Sequence, residues 1–525
     1  MKQPFKPLLA SVLAMTLLAG GSVSAHTLRI GYADPVSSLD PQLNNHAGDR
    51  SVALHTFESL LERRDDGEHP GLAERWERLD DNTWVFHLRQ DVKWHDGQPF
   101  TADDVAFSIE RARNVPGSVA SYASGLRTVA SVTARDPYTV VVKTRVPNPT
   151  LLTNIDSIYL VSRHAGATAA SEDYGNGKAM IGTGPYRFVS YAQGDRTLFE
   201  RNPAYWGPRP TWDAVDFRYI ANPAGRTAAL LAGDVDVIDK VSPSDVNKLR
   251  TTDSVSVYAY PGLRALIVQP SLREGPNEFI RDNSGKPLAQ NPLRDVRVRE
   301  ALSLAINRKA IVERILQNTV TEANQWMPAN TFGYNPAVKD IPNDPARAKA
   351  LLAEAGYPQG FQLSVHVPGD RYPLAPESLQ AVAQFWARIG VKVDLQVVPW
   401  SVYASRANKN EYAVTVIAWG NGTGEASYGL TNILATADAG KGLGMSNWGR
   451  YSNPEVDQAL ERATVEFDDT RRAAILREAA KVVSDDVGII PLFHYQNIWA
   501  ARKGLKVEPW VSDRTAAIMV TEGKP

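Results

Sequence analysis

The sequence predicts a mixed α/β protein. Three observations carry this: an ordinary globular composition, a second half in which period-two and helical apolar spacings alternate, and a turn-rich first half with isolated strands. The chain has 525 residues, 43% hydrophobic and 22% charged, the balance of a folded chain rather than a disordered or fibrous one. At ~150 residues per domain this is roughly three structural units. Lys and Arg number 57 against 58 Asp and Glu, for a formal net charge of −1. Such a chain offers no field for gripping a phosphate backbone, which argues against nucleic acid as a partner. Without cysteine it has no disulfide, thiolate nucleophile, iron–sulfur cluster or Cys-ligated zinc.

The elements follow in order. Lys2 and Lys6 open the chain, the run Leu8 to Leu18 is apolar, and Val23-Ser24-Ala25 forms a small-residue cleavage site before His26. This is the layout of a cleaved export signal over residues 1–25, too short for a membrane span. No cysteine follows it to carry a lipid anchor, so a mature protein in the periplasm is expected. In the first half, Trp84–Leu88 and Tyr138–Val142 read as strands, and Thr101 with Asp104 three residues on reads as a capping-box variant opening a helix. Pro147, Pro149, Gly182, Gly184, Pro185, Pro203 and Gly207 punctuate the region into an α+β unit with many loops.

The second half is more regular. Phe361, Leu363, Val365 and Val367 alternate; Leu379, Val382, Phe385, Trp386 and Ile389 recur at helical spacing; Val391, Val393, Leu395 and Val397 alternate again. That is a right-handed βαβ crossover. A further strand from about Tyr412 to Trp419 stops at Gly420-Asn421-Gly422-Thr423-Gly424-Glu425. Val456, Leu460, Ala463 and Phe467 fit one helix, and Ile475, Ala479 and Val482 a second. Residues from about 290 to 490 therefore form an α/β domain.

Motifs for chemistry are sparse. There is no P-loop, no His-Glu-x-x-His, no Gly-x-Ser-x-Gly and no dinucleotide fingerprint opening a helix. The glycines at 420, 422 and 424 precede an acid rather than a lysine, and the nine histidines are scattered. No cofactor, no metal site and no enzymatic activity are expected, although a triad assembled from distant residues leaves an exported hydrolase as an alternative.

A family resemblance then appears in ordered segments. They are Gly71–Glu77, Asp81–Arg89, Val92–Gly97, Pro99–Val105, Gly182–Tyr186, Arg201–Trp206, Leu231–Asp236, Asp295–Arg299, Ala305–Arg308 and Ala348–Tyr357. Together they resemble extracellular solute-binding proteins of the peptide/nickel family, the receptors of ABC importers for dipeptides, oligopeptides and nickel. The resemblance implies a two-lobed periplasmic-binding-protein fold with an extra α+β subdomain. Residues 26–66, 183–272 and 491–525 would form the first lobe, 67–182 its extra subdomain, and 273–490 the second lobe. It implies capture of a short peptide or related zwitterion in the interlobe cleft, by a monomer that delivers it to a membrane permease with a cytoplasmic ATPase. A metal chelate, opine or glycoside on the same fold is the alternative.

The resemblance also implies a site. Ligands of open α/β sheets sit beyond the carboxyl ends of strands, where Arg371 and Glu425 fall. In dipeptide-binding members an Arg after the first strand holds the peptide carboxylate and an Asp in the Gly-rich segment holds its amine. Here Val367-Pro-Gly-Asp-Arg-Tyr372 supplies Arg371, and Glu425 stands for the Asp with an arm one methylene longer. Trp419, Trp326 and Tyr372 are candidate walls of the cleft, with Asn45 and His46 as first-lobe contacts. The alternatives are core packing for Trp419 and Trp326, and solvated loop charges for Arg371 and Glu425.

Overall fold

Two long antiparallel strands, Val255–Pro270 and Ile490–Arg502, tie the molecule together. The structure is a computed structural model, and it describes residues 26–64 and 67–523. The export signal expected over residues 1–25 lies outside the described residues. Among the described residues, no helix is long and apolar enough to cross a membrane.

Among the described residues the two long strands lie in a nine-stranded sheet. Its path runs from Val414–Gly420 through the two long strands and Val237–Ile238, then to Thr27–Tyr32 and the strands that begin at Ala214, Arg196 and Tyr186, and the ninth strand, Val320–Glu322, pairs with Ile490–Arg502 off this path. The ladder between the long strands breaks register between Pro261 and Ala265. Before the break, Val255 packs with Ile498, Ala500, Val235 and Leu249, beside the core of Leu28, Ile30, Phe217 and Trp499. After it, Leu266, Val268, Ile490 and Phe493 join the core of Leu363, Val365, Leu379 and Trp386. One pair of strands thus feeds different cores on the two sides of a stretch of irregular backbone. The protein is mixed α/β and two-lobed.

The strands expected at Trp84–Leu88 and Tyr138–Val142 pair with each other as Thr83–Leu88 and Thr139–Thr144. They form the middle of a four-stranded antiparallel sheet with its own core of Phe86, Val140, Val105, Ile109 and Trp94. Helix Ala102–Ala112 covers this sheet. Its Asp104 carboxylate accepts from the Thr101 backbone N–H at 2.9 Å, from Trp94 Nε1 at 3.2 Å and from the Arg163 N–H at 2.8 Å.

Several motif residues turn out to share one structural task. Thr183 Oγ1, Tyr205 OH and Trp206 Nε1 all donate to the Glu58 carboxylate, at 2.8, 2.9 and 2.9 Å. Enclosure still pushes that carboxyl up to about 7 against the three donors. At Gly182 an added Cβ would stand 1.7 Å from the Thr56 carbonyl oxygen, so only glycine lets the two backbones meet there.

In the second lobe, Gln362–Pro368 pairs in parallel with Lys392–Val398, and helix Ala375–Arg388 crosses between them. Leu379, Val382 and Trp386 form its buried face, and Trp386 Nε1 donates to the Leu302 carbonyl at 2.8 Å. Two expectations are corrected here. Val397 is 55% exposed, because its strand lies at the edge of a three-stranded sheet. Helix Pro454–Ala463 ends short of Phe467, whose ring instead lies 6.3 Å from that of Trp84 and beneath the Arg78 guanidinium at 3.9 Å. A long-range contact with the four-stranded unit outweighs the helical spacing.

Candidate functional site

The loop that follows strand Val414–Gly420 faces the first lobe at both of its ends. At the near end, Arg264 pairs in register with Gly420 and donates from Nη1 to the Ala418 carbonyl at 2.9 Å. Its guanidinium also lies 3.8 Å from Asp513 in the C-terminal segment. Asp513 is 3.7 Å from Lys240, and Lys240 bonds Asp34 at 2.5 Å. Asp34 and Lys240 follow the neighbouring first-lobe strands Thr27–Tyr32 and Val237–Ile238. Enclosure opposes ionisation of Asp513, but Lys240, Arg264 and Arg514 outweigh it and hold its carboxyl below the usual range.

At the far end, Gly424 has a φ of 63°, and a Cβ there would stand 3.1 Å from Arg63 Nη2. Arg63 is held in turn by Glu68 at 2.8 Å and Thr153 Oγ1 at 3.0 Å. The Gly-rich loop thus meets the first lobe at two places, Asp513 near Arg264 and Arg63 near Gly424, with charged residues at both.

The expected site residues fall into three groups. Arg371 is exposed in the loop after Gln362–Pro368, with its guanidinium 5.4 Å from the Trp400 ring centroid and no ion pair. Tyr372 beside it is buried, edge-on to Trp400 at 5.8 Å, and lies in the field of both Arg371 and Arg264. Trp419 stacks on Tyr428 at 5.2 Å, and its buried indole N–H has no partner. Asn45 and His46 are exposed on the first lobe, with the Asn45 N–H donating to the Ala120 carbonyl at 2.9 Å and His46 Nδ1 3.3 Å from Ser37 Oγ.

Trp326 and Glu425 are placed differently. Trp326 is 1% exposed in the second core, against Gly429. The Glu425 carboxylate is 6% exposed and accepts from the Arg472 guanidinium and the Ser427 hydroxyl. Its backbone bridges Phe332, whose ring lies under Arg472 at 5.3 Å. A buried guanidinium needs a partner, and Glu425 serves Arg472. Arg371 and Glu425 therefore do not stand as two free charges on either side of one ligand.

Sequence reasoning missed Asp34, Lys240, Arg264, Asp513 and Arg514. They come from four well-separated segments and no local motif announces them; the adjacent charges of Asp513 and Arg514 were the one available hint.

A model of bacterial extracellular solute-binding proteins, family 5, matches residues 68–441. The chain belongs to this family. The dipeptide-binding protein of Escherichia coli K12 is 26% identical over 536 residues, covering 95% of each chain. The heme-binding protein A of Haemophilus influenzae is 29% identical over 449 residues, 81% of this chain and 78% of that one. The solved structure of HbpA2 from Haemophilus parasuis superposes with a TM-score of 0.81 at 27% identity, over 95% of this chain and all of that one. In this family 5 solute-binding protein the two long strands of the large sheet run between the lobes.

Proposed function

We propose that the protein is the periplasmic receptor of an ABC importer and captures short peptides in its cleft. The observation that carries this reading is Arg371: an exposed guanidinium without an ion pair, in the loop beyond the carboxyl end of a sheet strand. A guanidinium presents a planar fork that matches a carboxylate, and the peptide C-terminus is such a group. The dipeptide-binding relative, aligned over 95% of both chains, supports the same class of solute. Tyr372 and Trp419 supply aromatic wall, while Asn45 and His46 meet the solute from the first lobe.

Within this reading the first lobe comprises residues 26–66, 183–272 and 491–525, its extra subdomain 67–182, and the second lobe 273–490. Export removes residues 1–25, so the mature chain begins at His26; intact-mass measurement of the native protein returning an uncleaved N-terminus would contradict this. The binding claim is tested by calorimetry. Replacing one member of a desolvated charge pair costs ~2–5 kcal/mol. Arg371→Ala should weaken a dipeptide by that amount and its C-terminal amide far less. Equal losses for both would refute carboxylate recognition by Arg371.

A further inference from the structure

With Glu425 committed to Arg472, the Gly-rich loop has no free carboxylate to receive an ammonium. The first-lobe wall opposite that loop has one. Asp156 ends the short helix Leu151–Asp156, is half-buried, and makes no hydrogen bond or ion pair. Its chain neighbours place it: Thr153 Oγ1 on the same helix accepts from Arg63 Nη1 at 3.0 Å, the adjoining Ser157 carbonyl accepts from Arg50 Nη1 at 2.7 Å, and Arg514 adds to the same positive field. Arg63 is the residue that reaches Gly424 of the loop, and Arg514 adjoins Asp513, which pairs with Arg264 at the loop's other end. Asp156 therefore lies in the part of the first lobe framed by the two contacts with the Gly-rich loop.

The charges on these walls do not balance. Lys240 is paired with Asp34, Arg63 with Glu68 and Arg264 with Asp513. Arg50 is fixed by Tyr122 OH at 2.8 Å and the Ser157 carbonyl at 2.7 Å, with no carboxylate. Among the described residues Arg514 and Arg371 have no ion pair either, so on these walls Arg50, Arg514 and Arg371 are guanidiniums without a carboxylate, and Asp156 is a carboxylate without an ion pair. An excess of one sign on facing walls calls for a ligand of the other.

We propose that Asp156 is the ammonium subsite of the cleft and Arg514 beside it an anion subsite, so that the preferred solute is an acidic peptide with one free amine and at least two carboxylates. The assignment rests on the peptide-receptor reading and names the substrate class within it. The ammonium docks on Asp156, the C-terminal carboxylate on Arg371 across the cleft, and the acidic side chain on Arg514.

Calorimetry on the wild-type protein with Glu-Ala, Ala-Ala and N-acetyl-Glu-Ala tests this. Glu-Ala should bind at least ~10-fold more tightly than Ala-Ala, the scale of one charge-assisted contact. Asp156→Asn should weaken Glu-Ala by ~10-fold or more and N-acetyl-Glu-Ala by less than ~3-fold. Arg514→Gln should remove most of the preference for Glu-Ala over Ala-Ala. Equal binding of Glu-Ala and Ala-Ala by the wild type overturns the anion subsite at Arg514 and the preference for acidic peptides, and leaves the peptide-receptor reading standing. Equal weakening of free and acetylated peptide by Asp156→Asn overturns the ammonium role. Failure of all three peptides to bind the wild type overturns both.

Discussion

Asp156 is held in the folded protein at a cost in stability that protonation or a bound cation relieves. Enclosure pushes its carboxyl from 3.8 up to about 7, against the pull of Arg63, Arg514 and Arg50. The native state therefore holds the proton longer than the unfolded chain does. Folding stability from this group is complete below about 4 and falls as pH rises through about 7. Asp156→Asn should accordingly raise the melting temperature of the unliganded protein at pH 8 and leave it unchanged at pH 4, by thermal denaturation in matched buffers. A shift of the same size at both pH values would contradict the assignment. Glu425, unlike Asp156, has a buried partner. Arg472 and Glu425 are 5% and 7% exposed at their side chains, so Arg472→Ala leaves a carboxylate buried without its partner and should cost ~3–5 kcal/mol in denaturant unfolding. A loss under ~1 kcal/mol would show the pair to be solvent-screened.

Among the elements, helix Ala102–Ala112 depends most on one side chain. Asp104 caps its first turn and also ties it to Trp94 and to the Arg163 backbone. Removing a carboxylate that serves three donors should cost roughly 2 kcal/mol or more, and Asp104→Ala should lower the unfolding midpoint without changing peptide affinity. An unchanged midpoint would mean the three donors find other partners. This cap was readable from Thr101 and Asp104 because it is local, as was the βαβ unit, whose apolar periods belong to neighbouring residues. Arg371 was readable too, as a charge placed just beyond a strand end. What escaped was set by distance along the chain. Phe467 continues a helical spacing yet packs on Trp84, and Glu425 looks like a free loop acid until Arg472 arrives from another helix. The cleft walls combine Asp34, Asp156, Lys240, Arg264 and Asp513, and no short window of sequence contains two of them together.

For the whole molecule, the two crossing strands decide how it works. Between Pro261 and Ala265 their ladder is interrupted, and on the proposed reading that stretch is where the lobes rotate. The lobes also meet beyond the hinge, where Arg127 Nη1 donates to the Lys441 carbonyl at 2.7 Å and Phe467 packs on Trp84. On the proposed reading, opposite charges on the solute add the differential stabilisation that favours the closed arrangement. The claim that the cleft closes on a peptide is tested most directly by small-angle scattering of the wild-type protein, with and without Glu-Ala at a concentration that calorimetry shows to be saturating. The account predicts a smaller radius of gyration with peptide than without it; an identical radius at full occupancy would contradict capture between the lobes.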